Sequence, residues 1–483
     1  MQTLFTYTVP KKIMFSTASE RVKIPKKVNL LYTESVNPDV FASFRNSLKK
    51  RAGVTVETGR AGSVPKEGFP VVAGRPGEHP AFEPLLGHEA LAGVIDRLKG
   101  DGYIIGTREE GIAVGSETDR GIMYGLSLLD KMIGSDGPGG ASVPVATVLD
   151  WPDLAFRGLH FSLPVGPEDL RVIQKAVEEL FVLMRINTIV LEVNYSMRYE
   201  SHPEVSVENA VTKRAVREFV ELCGEQGIEV IPQFQCLGHQ SWAERTFPLL
   251  LKHPEFDETP DIPPHNPDIY CRSWCPSHPD INRFVFDLFD EVIEVFEPSR
   301  FHVGMDEVFI LGKCRRCKGT PLPELFARAV RDYHEYLAGK GIRMMMWGDR
   351  LLPMERTGYN KWEASENDTW KAVDMIPKDI MVTDWHYGRQ YRYPSLEFFA
   401  ERGFEINACP WKDPKNVAGF YCEVMRRTDS KVTGMLETTW YSPADVVSFV
   451  MDGVPLREGA DPSDVFELKK VSEAWNHFAN LAW

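Results

Sequence analysis

From residue 156 onward the chain repeats one pattern: a short apolar run, a polar break, then a stretch with apolar residues at helical spacing. The runs are FRGLHF (156–161), TIVLEV (188–193), EVIPQF (229–234), RFHVGM (300–305), IRMMMW (342–347), DIMVTDW (379–385), FEINAC (404–409) and TGMLETTW (433–440). Amphipathic stretches at 168–184, 211–226, 281–297 and 322–340 separate several of them. Eight strands alternating with helices predict an α/β fold, a closed parallel (β/α)8 TIM barrel. The rival is an open doubly wound sheet, but no Gly-x-Gly-x-x-Gly follows the first strand.

The first 150 residues read differently. VNLLYTE, FPVVAG, GYIIGT and GIAVGS have the look of strands bounded by turns, and 39–50, 84–99 and 119–133 carry helical patterns. GSDGPGGASVP, at 134–144, reads as a loop or linker. The expected division is a small α+β accessory domain at 1–150 and a catalytic barrel at 151–483.

Composition narrows the function. With 43% hydrophobic and 26% charged residues, the 483-residue chain has a globular profile. A net charge of −14 without a basic stripe argues against nucleic acid and against an anionic membrane surface. No apolar run is long enough to span a bilayer. The opening MQTLFTYTVPKKIMF lacks a basic segment followed by an apolar one. The chain as written is therefore expected in the cytoplasm, and in the periplasm or outside the cell if a leader has been trimmed. Oligomeric state is left open.

In such barrels the chemistry sits at the C-terminal strand ends. That rule selects His160, Glu192, Asn194, Gln233, His239, Asp306, Glu307, Trp347, Asp349, Asp384, Trp385, His386, Glu437 and Trp440. Carboxylates, histidines and tryptophans together suit a sugar, whose hydroxyls need hydrogen bonds and whose C–H faces need aromatic rings. FHVGMDEVF (301–309) is the sharpest feature, with two acids side by side where a strand ends. Adjacent carboxylates are too close to flank a glycosidic bond in the common way. They suit substrate assistance, in which the sugar's own 2-acetamido oxygen attacks C1. One acid, ionised, steers the amide; the other, protonated, gives the proton to the leaving oxygen.

FHVGMDEVF resembles the His-x-Gly-x-Asp-Glu signature of family 20 β-N-acetylhexosaminidases. GYIIGTREEGIAVGSETDRGIMYGLSLLDKMI and VPVATVLDWPDLAFRG resemble that family's N-terminal domain and its entry into the barrel. IEVIPQFQCLGHQSWA, MMMWGDRLL and MLETTW resemble later family segments. The resemblance implies that Asp306 polarises the acetamido group and that Glu307 is the general acid/base. It implies that Trp347, Trp385 and Trp440 wall the acetamido pocket, that Tyr387 donates to the amide oxygen, and that His239 and His302 support the site. It implies a retaining exo-glycosidase acting on terminal β-linked GlcNAc or GalNAc of an oligosaccharide or glycoconjugate, with no cofactor in the chemistry. The chain departs from the family where Val165 replaces an arginine that grips O3 and O4, and Gln233 stands where glutamate is common. Far-edge recognition then falls to His160, Glu192, Asn194, Arg198 and Asp349.

Two other functions remain: a barrel glycosidase with a separate nucleophile, Glu192 or Glu437, acting on sugars without the amide, and a non-catalytic carbohydrate-binding barrel. Among the eight cysteines, Cys271-x-x-x-Cys275 and Cys314-x-x-Cys317 follow neighbouring strands at one barrel end. Those four form a candidate structural zinc site; a disulfide or unligated loop cysteines are the alternatives.

Overall fold

A computed structural model describes residues 10–15, 20–62, 67–83, 95–135, 140–242, 245–455 and 462–483. All eight expected strands form and close into a parallel barrel. They are β1 (Phe156–Ser162), β2 (Thr188–Glu192), β3 (Glu229–Cys236), β4 (Arg300–Gly304), β5 (Arg343–Trp347), β6 (Met381–Trp385), β7 (Glu405–Cys409) and β8 (Val432–Thr438). Closure is made by β8 pairing with β1, Arg157 opposite Met435. Alternation along each strand sorts the side chains. Phe156, Val190, Ile231, Met345, Trp347, Met381, Trp385, Cys409 and Leu436 pack inside the barrel. Their strand neighbours, such as Ile189, Val230, Met346 and Met435, pack outward into the helix layer.

Amphipathic helices supply that layer, among them Lys213–Glu225, Ile281–Phe296 and Leu322–Gly339. The stretch 168–184 starts as an α-helix, Pro167–Ala176, and passes into a π-helical turn, Val177–Phe181. Between β5 and β6 short turns, Asp349–Leu351, Met354–Thr357 and Thr369–Asp374, take the place of a long helix.

The N-terminal residues form a seven-stranded mixed sheet in the order Lys12–Phe15, Ala146–Asp150, Tyr103–Arg108, Gly111–Gly115, Phe69–Gly74, Lys27–Tyr32 and Thr55–Arg60. Helices Ala42–Ala52 and Asp119–Met132 contribute Phe44, Leu48, Ile122 and Leu129 to the core on one face. The linker reading of 134–144 is corrected. Gly134–Ser135 pairs with Ala141–Pro144, which pairs with Arg21–Ile24. Residues 136–139 lie outside the described set. A Gly- and Pro-rich strand connection has the same composition as a linker, so composition could not separate them. Of the helix expected at 84–99, residues 84–94 also lie outside the described set, and Ile95–Leu98 is one 3-10 turn.

The long helix Pro462–Ala482 has no counterpart in the sequence reading. It delivers Trp483 into the core of the N-terminal sheet, where its ring stacks 5.9 Å from Tyr103 and meets Tyr124 edge-on at 5.1 Å. Arg185 lies 4.3 Å over the same ring. Buried ion pairs Arg157–Asp101 and Arg185–Asp150, both 2.8 Å, cross from the barrel to the N-terminal sheet. Arg157 is thus a structural cation at the barrel's lower end. No described helix is long and apolar enough to cross a membrane.

Candidate active site

The tips of β2, β3 and β4 are bent. Asn194, Leu237, His239, Met305 and Glu307 all have positive φ, five of the ten such non-glycine residues among those described. Each such residue costs on the order of 1 kcal/mol, and such strain gathers where side chains must be aimed. Gly304, at φ +67°, shows why glycine sits between the histidine and the acids: a Cβ there would stand 2.0 Å from the Gln235 amide oxygen. The space is needed because Gln235 reaches across and donates its Nε2 to Asp306 Oδ1 at 2.6 Å.

Asp306 and Glu307 converge on one imidazole. His239 Nε2 lies 3.2 Å from Asp306 Oδ2 and 2.9 Å from Glu307 Oε2. Cys271 Sγ is 3.4 Å from the other ring nitrogen, Nδ1. Burial alone would lower the His239 pKa, but the Asp306 carboxylate and the Cys271 sulfur override it and hold the ring well above its ordinary value. Burial would raise the Asp306 carboxyl; the His239 cation, with help from Gln235, holds it below its usual value instead. Asp306 is therefore held ionised. The Glu307 amide donates to Asp349 Oδ2 at 2.9 Å, and that oxygen also pairs with Arg350 Nε at 2.6 Å. Burial, against the pull of Arg350, pushes Asp349 up to about 6.

Other expected residues sort into three places. Glu192 and Asn194 stand together, Glu192 Oε1 accepting from Asn194 Nδ2 at 2.7 Å and Oε2 from Ser162 at 3.1 Å. Burial and the Asp306 charge raise the Glu192 carboxyl. His160 meets Trp347 edge-on at 5.4 Å and lies tilted against Trp440 at 4.7 Å. Trp440 Nε1 donates to the Tyr387 hydroxyl at 2.7 Å, which leaves the Tyr387 hydrogen for another acceptor. Trp385 lies 5.0 Å from Tyr387. These residues line the inner wall, and Trp347 Nε1, Trp385 Nε1, both His160 nitrogens and the Gln233 amide make no well-formed hydrogen bond among the described residues. Burial pushes His160 down to about 4, so it is neutral.

A second group is spent inside the protein. His302, expected to support the site, is fully enclosed, its Nε2 on Thr383 Oγ1 at 2.7 Å and its Nδ1 accepting from the Gly304 amide at 3.0 Å. It fixes the turn that aims the acids. Asp349 does the same from the other side. Third are residues facing away. Val165 is an exposed loop residue, and Arg198, also exposed, is held by the Ala210 carbonyl. Asp384 and His386 face outward from β6 and hydrogen-bond Ser395, a network that reaches Tyr387 through Glu363.

Glu437 belongs with this third group, sharing the outward face of β8 with Met435. Burial pushes its carboxyl up to about 8, with only a weak counter-effect from the Lys412 amide. It cannot serve as a nucleophile inside the barrel. Its pKa is raised on folding, so the unfolded chain releases this proton first and stability falls between about pH 4.5 and 8. Replacing Glu437 with Gln is expected to raise the unfolding free energy from urea titrations, relative to native, progressively from pH 5 to pH 8, by about 1–3 kcal/mol at the upper end. A pH-independent difference would contradict the buried neutral acid.

Sequence reasoning missed Gln235, Cys271's contact with His239, Arg350, and an aromatic rim. Gln235 was legible as the second residue beyond Gln233 on the same strand face. The rim was not, because its rings come from separate loops: Trp242 (50% exposed) stands 6.2 Å from His239, and Tyr270 and Phe309 meet Trp362 (40% exposed) at 5.1 and 5.2 Å. A cavity of about 980 Å³ lies elsewhere, between the N-terminal sheet's helices and the barrel, and touches neither acid. The expected four-cysteine set is also corrected: Cys275, Cys314 and Cys317 gather with Glu258, while Cys271 turns to His239 and Glu307.

Residues 189–413 match the catalytic domain of glycosyl hydrolase family 20, and residues 7–151 match that family's domain 2. The chain belongs to glycosyl hydrolase family 20. Among curated proteins, this family 20 chain is similar to a lacto-N-biosidase of Bifidobacterium bifidum, 23% identical over 300 residues, covering 59% of this chain and 25% of that protein. It is similar to a beta-hexosaminidase of Porphyromonas gingivalis, 23% identical over 235 residues, 44% of this chain and 29% of that protein. The match thus spans under a third of either relative. In fold it resembles the beta-N-acetylhexosaminidase of Bacteroides fragilis, with TM-score 0.68 and 15% identity over 98% of this chain and 89% of that one.

Proposed function

We propose that this family 20 protein hydrolyses terminal β-linked N-acetylhexosamine from an oligosaccharide or glycoconjugate, with retention and with the substrate's 2-acetamido oxygen as nucleophile. One observation carries the reading: Asp306 and Glu307 both sit within 3.2 Å of a single nitrogen, His239 Nε2. Neighbouring residues that share one imidazole are poorly arranged to flank a sugar from opposite faces, as the acid and the protein nucleophile of the common retaining pair do. The nucleophile then comes from the sugar. Asp306, ionised, would orient and polarise the amide N–H as the oxygen closes on C1. Tyr387 would donate to that oxygen, and Trp347, Trp385 and Trp440 would enclose the methyl group. Glu307 would protonate the leaving oxygen and then draw a proton from water. Glu192 and Asn194 would take ring hydroxyls. The aromatic rim offers faces to whatever sugar leaves.

The test is a panel of nitrophenyl β-glycosides of GlcNAc, GalNAc, glucose and galactose. At least one amino sugar should exceed its 2-hydroxy counterpart in kcat/KM by about 10³-fold or more, since an intramolecular nucleophile carries a large effective concentration. A thiazoline mimic of the cyclised intermediate should inhibit competitively. Equal cleavage of sugars lacking the amide would instead favour Glu192 as nucleophile. No turnover of any of the four would favour a binding role.

A further inference from the structure

We propose that Glu258, Cys275, Cys314 and Cys317 bind one structural zinc ion that ties the loop after β3 to the loop after β4. One ligand atom from each lies within 4.8 Å of the others, and all four residues are buried. The Cys275 sulfur is 3.4 Å from Cys317 and 3.2 Å from Cys314. Sulfurs around a tetrahedral zinc stand about 3.8 Å apart, so small side-chain shifts complete the geometry.

Glu258 argues for a cation rather than a disulfide. It is 1% exposed, and its Oε2 accepts the amides of Lys313 and Cys314 at 2.7 and 2.9 Å. Its Oε1 makes no well-formed hydrogen bond among the described residues, and the Cys317 sulfur is a neighbour of this carboxylate. A disulfide among three sulfurs would leave one thiol over and this oxygen unsatisfied, a costly state for a buried acid. A zinc ion takes all four groups. Binding three thiols and one carboxylate releases three protons and leaves the centre with two net negative charges. Lys313, Arg315, Arg316 and Lys318 flank the ligands and offset that charge.

The position gives the metal a purpose. Cys275 follows four residues after Cys271, which touches His239, and Cys314 follows seven after Glu307. The staple would hold both halves of the acid–imidazole cluster in register.

Protein purified without added zinc and dialysed against metal-free buffer should contain about one zinc per chain by elemental analysis. Titrating its thiols with a mercurial should release that zinc to a colorimetric indicator, a readout independent of activity. Cys271→Ser should keep the metal. The double variant Cys314→Ser/Cys317→Ser should lose it, and Glu258→Gln should yield it at about tenfold lower chelator concentration. Metal-free native protein, a native mass reduced by the two hydrogens of a disulfide, or zinc lost from Cys271→Ser would each overturn the proposal, and the first two need no variant to fold.

Discussion

Glu307→Gln is expected to lower kcat by about 10²–10⁴-fold on a substrate with a poor leaving group, with KM little changed, which is the span a positioned general acid supplies. The glutamine keeps the volume and the backbone, so the Glu307 amide still donates to Asp349 and the turn at Gly304 stays intact. What goes is the carboxyl beside His239. Aryl glycosides with good leaving groups need less protonation and should lose least in the first step. Comparing 4-nitrophenyl and methyl β-glycosides of the preferred amino sugar separates the two cases. Near-native turnover on the methyl glycoside would remove Glu307 from the mechanism.

Asp306→Asn is the second large effect. In the proposed mechanism Asp306 is the charge against which the amide N–H polarises, so its loss should cost about 10²–10³-fold in kcat, the scale of one aimed electrostatic contact. Affinity for the thiazoline mimic should fall in parallel, because the mimic carries the same N–H. The variant has a second signature. Asp306 is the main partner holding the His239 cation against burial. Without it, the His239 pKa should drop toward or below its ordinary value, read by NMR of the imidazole. The sign fixes the stability window. Asp306 is depressed on folding, so its contribution is lost as pH falls through its folded pKa. His239 is raised, so its contribution is complete below about pH 6.5 and fades as pH climbs through its folded pKa. Between those limits the native protein should outlast Asp306→Asn in urea, and the gap should close at both ends. An unchanged His239 titration would mean that Cys271 and Glu307, not Asp306, hold the proton.

Strands were the most legible elements. Each barrel strand is buried on both faces, so burial forces a short continuous apolar run whatever its neighbours are. The acids were legible because HVGMDE packs a buried histidine, an obligatory glycine and two carboxylates into six residues. Their separate jobs follow from local constraints: His302 holds the turn, Gly304 clears Gln235, and the strand ends. Less local features escaped. Pro462–Ala482 owes its place to Trp483, whose partners Tyr103, Tyr124 and Arg185 lie hundreds of residues upstream. The 134–144 segment read as a linker because turn and linker share a composition.

The sequence by itself determined the barrel, the strand-end rule and the acid pair, since each depends on residues adjacent along the chain. Tertiary structure alone decided how those groups divide their work. Cys271 and Cys275 are four residues apart, yet one meets the imidazole and the other the buried sulfur cluster. Glu437 sits at a strand tip like Glu192 but faces the helix layer, so burial outweighs the Lys412 amide and raises its carboxyl to about 8. His239 bridges both acids because the tips of β3 and β4 bend toward one point. Contact between groups distant in sequence depends on how strands close and loops fold back, and short-range pattern carries no record of that.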